Sequence, residues 1–176
     1  ANVSKTMTLA GKAFDDNIDN AILFQEIMAK TYALGGASAA EQSSSMYQMV
    51  QALGSGILQG DELRSVREGA PVAYKAIEEF AQGVYSTTES LKDLASQGKI
   101  TSDIVVAAVL GMENEVNKSF AQMKMTFAQA WITIKNSAVK SFEPVFAMMS
   151  KALNSDLGKS VINGIQLRDA FVSGAN

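Results

Sequence analysis

An all-α fold is predicted: a compact multi-helix module of short helices joined by Gly/Pro turns, leading into a long amphipathic helix. Three observations predict it. Alanine, methionine, glutamine and lysine are plentiful and β-branched runs are few. Apolar residues recur at helical rather than alternating spacing. Glycines and Pro71 stand where one helix should stop and the next begin, while Pro144 falls inside the long helix and predicts a kink there.

Phe14, Ile18, Ile22 and Met28, with Ala21, Ile27 and Tyr32, define a first helix. Asp15, Asp16 and Asp19 crowd its front, where the helix dipole favours negative charge, and Gly35-Gly36 ends it. Ser38-Ala39-Ala40-Glu41 has capping-box spacing and opens a second helix. That helix turns Met46, Met49, Val50 and Leu53 inward, and Gly54 stops it.

A heavily punctuated corner follows, Gly54 to Pro71. Gly54 and Gly56 can adopt positive φ, and Gly60 opens a second turn. Asp61 can cap a short helix through Glu68, with Glu62 in its first turn and Leu63 and Val66 on one face. Gly69 ends it, and Pro71 suits the first turn of the next helix, whose expected buried set is Val72, Ala76, Ile77 and Phe80. Gly83 ends that helix. Ser86-Thr87-Thr88-Glu89 is a second capping-box match, followed by Leu91, Leu94 and Ala95, with Gly98 at the expected C′ position. Thr101 or Ser102 caps a helix carrying Ile104, Val105, Ala108, Val109, Met112 and Val116.

The last segment is the most regular. Phe120, Met123, Phe127, Trp131, Ile134, Ala138, Phe142, Val145, Met149 and Leu153 step by three, four, four. That eleven-residue repeat suits a nearly straight helix, about 50 Å long over about 34 residues. Pro144 cannot donate to the carbonyl of Lys140, which predicts a kink or break there. The stripe packs either against another chain or under the preceding helices folded back over it; the spacing admits both. Phe127, Trp131, Ile134 and Phe142 are the expected self-association surface. The division that follows is a 1–37 N-terminal helix, a 38–120 compact module, and a 121–176 long helix with a helical extension. The chain starts without methionine and ends without an obvious terminus, which predicts a piece of a longer protein.

Composition narrows the chemistry. The chain has no cysteine and no histidine, which excludes cysteine nucleophiles, Ser-His-Asp triads, disulfides and the usual zinc sites. A net charge of −3 argues against nucleic-acid binding through bulk charge, and no sequence-specific binding is expected. No run reaches the ~20 apolar residues of a transmembrane helix. The turns at Gln59-Gly60 and Gln97-Gly98 look alike, yet neither has phosphate-loop spacing. Glu78-Glu79, Glu113 and Glu115 are the carboxylates to weigh for acid/base or metal chemistry. Adjacent carboxylates on a helix point apart, so they read as a solvated face. No catalytic, metal or cofactor-binding residue is singled out. Gly60, Pro71 and Gly98 are the structural turns.

The ordered set Gly56 to Leu63, Arg64 to Pro71, Leu91 to Ala95, Gly98 to Thr101, Phe120 to Thr126, Gln129-Ala130 and Lys135-Asn136 resembles the N-terminal region of tailed-phage tape measure proteins. That pattern has a Gly-x-Leu-Gln-Gly turn, a Glu-Leu-Arg helix closing on Ala-Pro, a Leu-x-x-Leu-Ala helix and a Gly-Lys-Ile/Leu-Thr turn. A Phe-x-x-Met-x-x-Thr-x-x-Gln-Ala segment comes next. The resemblance spans about residues 45–140 and implies a structural role: setting tail length and scaffolding the tail tube, with no enzymatic activity or cofactor. It implies as partners further copies of the chain, tail tube subunits, tail assembly chaperones and tail-tip proteins. Implied locations are the virion tail lumen and, during assembly, the host bacterial cytoplasm; membrane contact would come only during ejection. Two rivals are a membrane-active helical protein, suggested by the methionines and the apolar stripe, and a helical muralytic domain.

Overall fold

Where the spacing from Phe14 to Tyr32 predicts one helix, the chain makes a corner and then a helix. The computed structural model describes residues 3–123 and 128–152, with α1 at Val3–Lys12 and α2 at Ile18–Gly35. Between them Asp15 and Asp16 sit at φ 53° and 54°, the left-handed region that short polar side chains tolerate. Asn17 caps α2, its side-chain oxygen accepting from the N–H groups of Asp19 and Asn20 at 3.0 and 3.3 Å. Only Asp19 of the three aspartates lies in the first turn. The corner leaves Phe14 buried, its ring against Phe24 and Phe142 with centroids 5.3 and 6.4 Å away.

α3 spans Ala39–Ser55 and begins with the expected capping box between Ser38 and Glu41. The Ser38 hydroxyl bond also holds the Glu41 carboxyl below its ordinary pKa. Met46, Met49, Val50 and Leu53 are all buried. Gly54 does not stop this helix; it is buried inside the last turn, and Gly56 at φ 90° ends it. A helix stop needs the left-handed residue at C′, which is Gly56.

α4 (Gly60–Gly69) and α5 (Pro71–Tyr85) flank Ala70. The cap position of α4 falls on Gln59, which makes no side-chain bond, so Asp61 acts from inside the first turn with Glu62. The buried side of α5 is Ala73, Ile77 and Ala81, whereas Val72 and Phe80 are exposed. α5 packs against α7, α2 and α4, and its buried alanines stand one residue on from the bulkier Val72 and Phe80 expected there. Gly83 is not the stop either: α5 runs to Tyr85 and Ser86 caps it in the left-handed region at φ 49°. Ser86 therefore cannot open a capping box, and Ser90 caps α6 (Leu91–Ser96), accepting from the Asp93 N–H at 3.1 Å.

α7 (Ser102–Gly111) and α8 (Glu113–Ala121) divide at Met112. The set Ile104, Val105, Ala108, Val109, Met112 and Val116 is buried as expected. α9 runs Ala128–Ala152, unbroken through Pro144. The single helix expected from Phe120 to Leu153 is not what forms, because α8 ends at Ala121. Phe120 and Trp131 meet ring to ring, centroids 4.5 Å apart. Eleven residues of straight helix would separate them by about 16 Å, so the chain turns back before α9. Along its 25 residues α9 lies against α1, α2 and α3.

One contiguous core draws on α1 through α9. At its centre Tyr32 is fully buried, and its hydroxyl has no hydrogen-bond partner among the described residues. Tyr32→Phe removes that orphan and keeps the ring, so unfolding stability at neutral pH should hold or rise by about 1 kcal/mol. Burial pushes the Tyr32 pKa up. The unfolded chain releases this proton near 10.0 while the folded chain keeps it, so wild-type stability falls as pH rises past that value. In Tyr32→Phe this contribution to the alkaline loss disappears, which denaturant titrations across that pH range would read.

Candidate functional site

The punctuated corner joins helices through backbone pairing. Gly56, Ile57 and Leu58 run antiparallel to Ile100, Thr101 and Ser102, bridged at Ile57 and Thr101. The Leu58 N–H donates to the Ile100 carbonyl at 2.8 Å, and the Ser102 N–H to the Gly56 carbonyl at 2.9 Å. The Ser102 hydroxyl donates to the Leu53 carbonyl at 3.1 Å, satisfying an end of α3. Leu58 and Ile100 are buried beneath this pairing. The two look-alike Gln-Gly turns thus lie next to each other's strand-like residues, and Gly60 and Gly98 both take positive φ, 55° and 70°.

Gly98 closes α6 in a Schellman pattern: its N–H donates to Ala95 and the Lys99 N–H to Leu94, both at 3.0 Å. Pro71 starts α5 where its missing N–H costs nothing. At the other end of α6, Glu78 reaches from α5 to accept the Leu91 N–H at 2.8 Å. Tyr85 donates to the Lys99 carbonyl at 2.7 Å, while the Lys99 ammonium sits 5.5 Å from the Tyr85 ring centroid and 3.9 Å from Glu89. Glu89 in turn accepts from Gln97 at 2.9 Å.

Two of the four carboxylates weighed for chemistry are engaged by neighbours. Glu78 caps a helix, Glu79 pairs with Lys75 at 3.6 Å, and Glu113 and Glu115 occupy the first turn of α8. An open groove of about 330 Å³ between α3 and α4 includes Glu41, Ser45, Ser65, Glu68 and Gly69. Most of its polar groups are engaged with neighbours, Glu41 with Ser38, Glu68 with Arg64, and Ser45 with Ser65, and Ser44 also lines it. Among the described residues no cluster of three or more acidic ligands could hold a metal ion, and no helix is long and apolar enough to cross a membrane.

The expected self-association stripe divides. Phe127 lies outside the described residues. Trp131 is half-buried against Phe120. Ile134 and Phe142 are buried, with Ala138, Val145 and Met149 in the same row. Phe142 sits in an aromatic cluster, 5.9 Å from Phe24 and 5.7 Å from Phe146. In this fold the preceding helices cover the stripe, so a second copy could use Ile134 and Phe142 only if α9 left α1–α3.

Sequence reasoning missed a pin between α2 and α8. The Lys30 ammonium donates to Glu26 at 2.8 Å and Asn117 at 2.7 Å, and lies 5.7 Å from the Phe120 ring centroid. The pair Glu26 and Lys30 had helical spacing, but Asn117 is 87 residues away, and no local pattern reports such a contact.

A family model described as tape measure protein matches residues 1–145. No curated protein and no solved structure matches the chain.

Proposed function

We propose, since this chain belongs to the tape measure protein family, whose members determine phage tail length, that its helical bundle is a folded module carried by the ruler. The match over residues 1–145 carries this reading. Length is measured by helix: each residue adds about 1.5 Å. A chain that converts residue count into distance needs helical segments and no reactive site. We read the role as mechanical for that reason, and the structural use of Glu78, Glu79 and Glu89 supports it.

The finer expectations stand as part of the same proposal. The protein occupies the tail lumen in virions and the host cytoplasm during assembly, and it scaffolds the tail tube. Its partners are further copies of itself, tail tube subunits, assembly chaperones and tail-tip proteins. The bundle is suited to recognition, because its helix ends are tied to each other and present a defined surface. Self-association along Phe127, Trp131, Ile134 and Phe142 belongs to a state in which α9 is released.

Tail length tests the function. Deleting about 33 residues from a helical stretch of the full-length protein, outside this bundle, should shorten tails by about 50 Å. Electron microscopy of virions would read it. Tails of unchanged length after several such deletions would overturn the ruler role.

A further inference from the structure

α8, the helix that precedes α9, is lightly seated. Val116 is its one buried side chain, whereas α7 just before it buries Ile104, Val105, Val106, Ala108 and Val109. No side chain caps its first turn, because the cap position falls on Met112. The last residue of α7 is Gly111, exposed, with open space where a Cβ would stand. No packing contact requires a glycine there. A residue at the end of an element, unrestricted by a Cβ, can absorb the change in φ and ψ that a hinge needs.

The pin at Lys30 offsets this light seating. The Lys30 side chain is only 14% exposed, and its ammonium donates to Glu26 and to Asn117. Glu26 shares α2 with Lys30, so the bond that crosses to α8 is the one to Asn117, at 2.7 Å. Three residues on, Phe120 lies within reach of the same ammonium and also meets Trp131 of α9. The contacts therefore run in series from α2 through α8 to the first turns of α9. We infer that α8 is a latch: it hinges at Gly111, Lys30 holds it shut through Asn117, and its opening frees the Trp131 end of α9 while α2 and α7 stay folded. Opening starts at that end because the other end is seated more firmly, with Phe142 against Phe14 and Phe24, and Met149 against Gly11. The latch thus governs whether the apolar row of α9 is covered from its first turns. The inference rests on the reading in which α9 can be released, but tail length can follow residue count whichever way the latch stands.

Hydrogen exchange of the intact chain, read amide by amide, tests the latch. In the wild type the amides of α8 and of α9 up to Ile134 should exchange as a group, at least about tenfold faster than those of α2 and α7. Asn117→Ala removes a hydrogen bond to a charged group and should quicken that group about tenfold further, leaving α2 and α7 unchanged. Trp131 is the chain's single tryptophan, so in the same variant its emission should move to the red and become easier to quench with acrylamide. Asn117→Asp keeps an acceptor for the ammonium and should restore wild-type exchange and emission. Wild-type exchange in α8 no faster than in α2 overturns the inference. So does an Asn117→Ala variant that quickens every helix equally or leaves Trp131 emission unmoved, either of which would make Asn117 an ordinary contributor to global stability. None of these outcomes bears on the ruler, which deletions outside the bundle report separately.

Discussion

Phe142→Ala should lower the unfolding free energy by about 3–5 kcal/mol, the range for truncating a buried aromatic. Phe142 is fully buried and touches rings from three directions: Phe14 at the α1–α2 corner, Phe24 on α2 and Phe146 one turn on. Its removal leaves a void whose walls are held by the α1–α2 corner, α2 and α9, so they cannot close over it together. Urea titration followed by circular dichroism measures the loss. The size of the effect separates two roles for α9. A helix whose stripe only waits for another chain loses little stability from this change, below about 1 kcal/mol. A loss that small would mean α9 is not part of the folded core. Phe142→Leu, which refills most of the volume, should recover a large share.

Gly69→Val should be destabilising by about 1–3 kcal/mol for a different reason, overpacking. A Cβ at Gly69 would stand 2.3 Å from the Ser45 hydroxyl oxygen and 3.0 Å from the Ser45 Cβ, with the Tyr32 ring edge at 3.4 Å. Ser45 cannot swing aside freely, because its hydroxyl donates to the Ser65 carbonyl at 2.8 Å. The end of α4 therefore touches α3 through a glycine and a serine, and that contact sets where Pro71 begins α5. Thermal unfolding would report the change. Ser45→Gly in the Gly69→Val background should return part of the stability; no recovery would place the cost elsewhere.

Legibility followed distance along the chain. The box at Ser38 and Glu41, the left-handed Gly98 and the start of α5 at Pro71 were all readable, because each device acts within about four residues. Errors at Gly54 and Gly83 came from taking a glycine as a stop when the residue that takes positive φ stands two or three positions later, Gly56 and Ser86. The face of α5 was misjudged because size was read as burial. Alanines pack where helices come close, and Val72 and Phe80 were left outside. For the candidate site the motif order was readable, but the pairing of Ile57 with Thr101 was not, since it joins turns 44 residues apart.

The amino-acid sequence by itself determined the helical class, most caps and stops, the apolar row from Ile134 to Met149, and the ordered motifs that point to the tape measure family. Those follow from local hydrogen bonding and from a 3.6-residue period that needs no partner to be seen. Only the tertiary structure decided what covers each apolar row. A period gives the direction of a stripe around its own axis, not the surface it meets, and that surface comes from residues far away in the chain. So the turn back before α9 buries Phe142 against Phe14 and Phe24, while the ridge on α5, equally regular in sequence, is left facing out.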